Sequence, residues 1–189
     1  LRDSSNTVKA TITVNSATND VGTLSAQTAN GNIQYQDASA LTIGAVAVAG
    51  NYAGTSGLNT SATTGKTIDV LVSTGALTLN NDVTTNTTGT VYLTAVTGIS
   101  ETGAAKVTTG TLGMNVTGAG DIVANNANLV NTLGAKTANG SIQFRNVQAL
   151  GVTTVGASGD FAGTTNGLMS TTAGNTIDVL VSAGALTLN

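Results

Sequence analysis

The chain of 189 residues has no cysteine, histidine, proline or tryptophan. Without cysteine there are no disulfides and no thiolate chemistry, and losing histidine as well removes the commonest ligands of a zinc site. Charge is scarce too. Charged residues make up 8% of the chain, and six bases against nine acids leave a formal net charge of -3. So weak a field steers neither a polyanion nor an anionic membrane, and no nucleic-acid partner is expected. The apolar runs, 45–49 for instance, fall far short of the ~20 residues that a spanning helix needs. No membrane insertion is expected. Helix formers other than alanine are rare, so almost no helix is expected either.

Threonine is instead the commonest residue, glycine fills 24 positions and 40% of the chain is hydrophobic. An abundance of β-branched residues favours strands, and the apolar share is enough to bury a core, which disordered Gly/Thr-rich linkers lack. The strongest signal is internal repetition. Residues 26–80 return at 135–189 with a fixed offset of 109, and 30 of the 55 aligned positions are identical, including TIDVLVS and GALTLN at the end of each copy. A fixed period of this kind belongs to units stacked along an axis, each burying its apolar face against the next. Residues 1–189 are therefore expected to form one continuous body.

A shorter period lies inside the long one. Thr67-Ile68, Thr90-Val91, Thr111-Leu112, Thr132-Leu133, Thr154-Val155 and Thr176-Ile177 are separated by 23, 21, 21, 22 and 22 residues. A second apolar series runs through Leu77, Ile99, Ile122, Ile142, Phe161 and Leu186. A coil of about 22 residues, built of short strands that each pair with their equivalent one rung along, marks a parallel β-helix, a single-chain solenoid. Alternation agrees: Ile68, Val70 and Val72 are expected inside, with Thr67, Asp69, Leu71 and Ser73 outside. Gly75 marks a corner, and Asn30-Gly31 with Gly50-Asn51 return as Asn139-Gly140 and Gly159-Asp160, turn residues that tolerate positive φ. The length then allows about nine rungs at ~4.8 Å each. Neither end carries a visible cap against strand addition, so truncation or head-to-tail continuation is expected.

Segments such as Gly140-Ser141-Ile142, Ala76-Leu77-Thr78-Leu79-Asn80, Gly98-Ile99-Ser100-Glu101-Thr102-Gly103 and Asn19-Asp20-Val21-Gly22-Thr23-Leu24 resemble the repeat shaft of filamentous haemagglutinin-like exoproteins. These belong to two-partner secretion, and autotransporter passengers are related. The resemblance implies a right-handed coil, export to the bacterial outer surface or beyond, and adhesion or matrix building. The family's amino-terminal secretion domain carries Asn-Pro motifs, and with no proline this chain resembles shaft alone. The likeness is architectural, so no catalytic or receptor-binding residue carries over.

Parallel β-helices also carry polysaccharide lyases and hydrolases, which cluster carboxylates on one outward face. Asp69 and Asp178 occupy the same slot in successive copies, five rungs or roughly 24 Å apart at the strand spacing, too far to act together. An enzyme would need a long loop bringing two carboxylates within ~10 Å, and the text shows none. The Gly-Gly-x-Gly-x-Asp nonapeptide of calcium β-rolls is absent, and the Asn19-Asp20 and Asn81-Asp82 pairs read as turns that bond their own backbone. No cofactor is expected. Stacked Thr pairs at Thr88/Thr90 and Thr109/Thr111 stop at Val130-Asn131-Thr132, too soon for an ice-binding face. Tyr35 becomes Phe144 and Tyr52 becomes Phe161 across copies, which suggests core filling. Leu71 and Leu180 are apolar in an outward slot, either covered by a loop or making lateral contact between rods. The expected function is a structural or adhesive shaft and not an enzyme, its partners being neighbouring repeats, head-to-tail copies, or a surface glycan or protein receptor. A carbohydrate-active β-helix is the alternative.

Overall fold

The computed structural model describes residues 2–3, 11–50, 53–164 and 167–189, with side chains from residue 11 onward. Tyr52 and Asn51 lie outside the described residues. Among those described there is no helix. Nineteen strands join one sheet through parallel pairs alone, and Ala45–Val46 with Thr55–Ser56 form an antiparallel hairpin apart from it. The fold is all-β, a large parallel sheet curled on itself as in a β-solenoid.

Each regular turn uses three faces. Thr67–Val72 lies on the first, Ala76–Leu79 on the second and Val83–Thr84 on the third, before Thr90–Ala95 returns to the first. On face one the inward register runs Ile12, Ile33, Ile68, Val91, Leu112, Leu133, Val152, Leu188. The middle of this column is 0–1% exposed, whereas Leu188 at its end is 73% exposed. Every enclosed side chain contributes about 1.5–3 kcal/mol of burial. A rung left unstacked forgoes it.

The Thr-aliphatic ladder holds from Thr67 through Thr90 and Thr111 to Thr132 and then departs from the sequence pattern. Thr132 pairs with Gly151, while Ile177 stacks on Ile142 of face two. Leu77, Ile99, Ile122 and Ile142 form the second column as expected, but Phe161 is not in it and Leu186 pairs with Leu150. The reason is geometric. From Ile33 four turns lead to Leu133, and Ile142, the counterpart of Ile33 at an offset of 109, lies one face beyond it. The long repeat therefore advances four turns and one face, not five rungs. Two excursions, described over residues 44–50 with 53–57 and over 153–164, lengthen their turns, so that Ile33 pairs with Ile68, 35 residues on, and Val152 with Leu188, 36 residues on.

Polar residues point inward at the corners, where the backbone turns away from its ladder. Asn128 and Asn146 are fully buried and in register; their Oδ1 atoms accept the Val107 N–H at 2.7 Å and the Val130 N–H at 2.9 Å. Side-chain amides thus satisfy backbone groups that no neighbouring strand reaches. Asp37, the first-copy counterpart of Asn146, accepts the Val21 N–H, the Ser39 N–H and the Tyr35 hydroxyl. Burial, followed by the Asp37 contact, pushes the Tyr35 hydroxyl well above the usual phenol range. In the second copy Phe144 and Asn146 lack both hydroxyl and carboxylate. Thr85 and Thr109 are also buried, their hydroxyls 2.7 Å apart, so they belong to the interior and not to a flat threonine surface.

Candidate functional site

Residues 153–164 leave face one after Val152, which pairs with Leu133, and the chain is back on that face at Leu168, which pairs with Ala135. Between these points the chain forms a hairpin strap. Ser158 and Phe161 exchange N–H···O bonds at 3.0 and 2.9 Å, the Thr164 N–H donates to the Val155 carbonyl at 2.8 Å, and Gly159 turns the tip at φ 57°.

The strap lies outside the coil, along the outward column Gln34, Asp69, Tyr92, Gly113, Gly134, whose members are in register on face one. At Gly134 it packs Val155 and Thr164, and a Cβ on Gly113 would meet Phe161 Cζ at 2.6 Å. Phe161 stacks on Tyr92 with centroids 4.8 Å apart and planes 25° from parallel. At the tip the Asp160 N–H donates to Asp69 Oδ2 at 2.9 Å, and Gln34 Nε2 donates to Asp160 Oδ2 at 3.1 Å. Five tiers, about 19 Å at the strand spacing, are clipped together. Phe161 is buried as the sequence suggests, but against the coil's outer wall instead of within it.

The outward direction expected for Asp69 holds, but the side chain is covered there. It is 4% exposed under the strap tip, while its counterpart Asp178 is exposed and sits on face two. Its Oδ1 has no hydrogen-bond partner among the described residues. Desolvation pushes the Asp69 carboxyl up to about 6; the Asp160 N–H pulls it down and the Asp160 charge pushes it up again. Glu101 is similar on the second face. Desolvation takes it to about 7, against the lowering effect of the Asn126 N–H and the Asn128 amide, and the Asp82 charge raises it further.

A long loop has therefore brought a second carboxylate beside Asp69, the arrangement that the sequence could not place. Its chemistry is limited by access. A general acid must touch the group it protonates, and the strap backbone seals Asp69. The remaining outward candidates are not brought together: Leu71 is half-buried beside Gln36 and Thr94 on face one, whereas Leu180 is 55% exposed beside Arg145 on face two. Among the described residues no three acidic, histidine or cysteine side chains converge as a metal site would require. A groove of about 390 Å³ lies beside the first excursion, lined by Val14, Asp20, Val21, Leu24, Tyr35 and Val46 among others.

The strap seat titrates in a defined direction. Because the folded carboxyl of Asp69 rises from 3.8 to about 6, its contribution is fully present below pH ~4 and is lost as pH climbs through about 6. Relative to Asp69→Asn, the wild-type thermal midpoint should thus be lower at pH 7 than at pH 4. Parallel pH profiles for the two proteins would show Asp69 to be solvated.

Sequence reasoning missed the seat, although its trace was there. Gly113 and Gly134 are 21 residues apart in the middle of strands, where glycine marks close approach of another segment. No protein-family model matches the chain, and neither a curated protein nor a solved structure matches it.

Proposed function

We propose that this chain is a structural or adhesive shaft, one continuous segment of a secreted or cell-surface repeat protein that spaces or displays other modules. The right hand of the coil, its rung of about 22 residues, the count of about nine rungs and the bacterial outer surface belong to this reading. So do its partners, neighbouring repeats or a surface glycan or protein receptor. What carries it is the inward column from Ile12 to Leu188, in which a repeat adds length without changing cross-section. Stability in such a stack is a sum over tiers and their interfaces, so length can grow without a new core.

Solution scattering tests this directly. Adding a third copy of the 109-residue repeat should lengthen the rod by about 21 Å at constant cross-section, four turns and one face at the strand spacing. A compact particle, or one that thickens, overturns the reading.

The Asp69–Asp160 pair favours one alternative, a carbohydrate-active solenoid whose strap lifts to admit a polymer. Release of new reducing ends or unsaturated products from a polysaccharide panel, abolished in Asp69→Asn, would establish it in place of the shaft. Sealing of Asp69 beneath the strap supports the shaft.

A further inference from the structure

The strap has a fixed base and a hinged tip. At the base Val155 and Thr164 are buried against Gly134. They are tied to each other as well: the Thr164 N–H donates to the Val155 carbonyl at 2.8 Å, and the Val155 N–H donates to Thr164 Oγ1 at 3.0 Å. Beyond this pair the two legs pass through Gly156 and Gly163 before they reach the Ser158–Phe161 pair at the tip. Nothing lies within 4 Å of a Cβ at Gly156, and Gly163 takes φ 82°. Both legs therefore carry a glycine at the same level, which is what a hinge requires. The tip in turn is seated by the Asp160 N–H on Asp69 Oδ2, by Gln34 Nε2 on Asp160 Oδ2 and by the Phe161 ring on Tyr92. Glycine at 159 lets the tip backbone come this close, since an added Cβ there would run into Asp69 Oδ2.

The seat suits a protonated Asp69 and not an ionised one. Facing Asp69 are Thr13, Gln34 and Tyr92, in register on neighbouring strands, and Asp160 on the strap. Asp160 is the one charged group among them, and its sign is the same. One oxygen of Asp69 takes the Asp160 N–H, while Oδ1 is buried with no hydrogen-bond partner. An ionised carboxylate held dry beside a like charge is unfavourable, and lifting the tip returns water to it. We propose that residues 156–163 form a proton-gated latch, closed on the wall while Asp69 holds its proton and swinging out on Gly156 and Gly163 when Asp69 ionises. Opening bares the Tyr92 ring and the Gly113 shelf beside it, while the Val155–Thr164 base stays in place. The latch is a property of one chain and needs neither a neighbouring copy nor an array.

Amide hydrogen exchange reads such local opening directly. With the carboxyl at about 6 when the tip is seated and 3.8 when it is free, opening becomes more favourable as pH rises between these values. The opening constant should grow roughly tenfold to a hundredfold from pH 4 to pH 7. Protection of the Asp160 amide, corrected for the intrinsic rate at each pH, should fall by that factor. The Thr111 amide, bonded to the Gly89 carbonyl in the middle of the stack, should keep its protection and so separate local from global opening. In Asp69→Asn, whose amide oxygen can still accept the Asp160 N–H, protection of the Asp160 amide should change less than about twofold over the same range, because nothing is left to titrate at the seat. The wild-type profile decides without the variant. Constant protection at Asp160, or an equal loss at Thr111, would overturn the latch, as would the same fall in Asp69→Asn.

Discussion

Replacing Asn128 by leucine is expected to destabilise the fold by on the order of 3 to 5 kcal/mol, although the two side chains are close in size. Asn128 is fully buried. Its Oδ1 accepts the Val107 N–H at 2.7 Å, and its Nδ2 lies 3.1 and 3.2 Å from the Ala124 and Arg145 carbonyls. Leucine leaves a donor and several acceptors dry, and each orphaned group costs about 1–3 kcal/mol. Glu101 Oε2, which also takes a bond from that amide, loses a partner. Denaturant titration of Asn128→Leu beside Asn131→Leu separates the causes, because Asn131 is exposed and its replacement should stay within about 0.5 kcal/mol. Equal shifts for the two variants would show that water reaches the corner.

Gly120→Ala should be the other severe change, costing about 3 kcal/mol or roughly 6–12 °C in thermal midpoint for a chain of this size. Gly120 donates its N–H to the Asn139 carbonyl and accepts the Thr137 hydroxyl. An added Cβ would run into the Thr97 carbonyl one tier below, and Gly140 stands in the same relation to the carbonyl of Gly120. The obstacle is backbone, not a side chain that can swing aside. Gly156→Ala is the control, since nothing lies within 4 Å of a Cβ there and a compatible Gly→Ala change removes unfolded-state entropy. A midpoint for Gly120→Ala within a degree or two of that control would mean that the corner relaxes freely.

The interior of the coil was legible because its rule is local. Alternation in TIDVLV placed Ile68, Val70 and Val72 inside, and Thr67, Thr90, Thr111 and Thr132 announced their own pairing by even spacing. Spacing failed beyond Thr132, where Thr154-Val155 kept the interval but lay in the strap. A period counts residues along the chain and cannot distinguish residues that climb the stack from residues that run along its outside. Asp69 was misread for the same reason. Its outward direction was correct, but its burial depends on a segment 91 residues away in sequence. The exchange of Tyr35 and Asp37 for Phe144 and Asn146 was visible only as two separate substitutions. Their coupling is a contact, the hydroxyl 2.8 Å from the carboxylate, and contacts of that kind follow from the fold.

Because one repeat ends a third of a revolution away from where it began, a side chain copied in every repeat winds round the rod like the treads of a spiral stair. Leu71 and Leu180 are two such treads, on neighbouring sides. Three repeats bring the motif back to its starting azimuth. A longer array would present an identical feature on each of its three faces, so that a rod lying on any one face still turns a copy toward the surface beneath it.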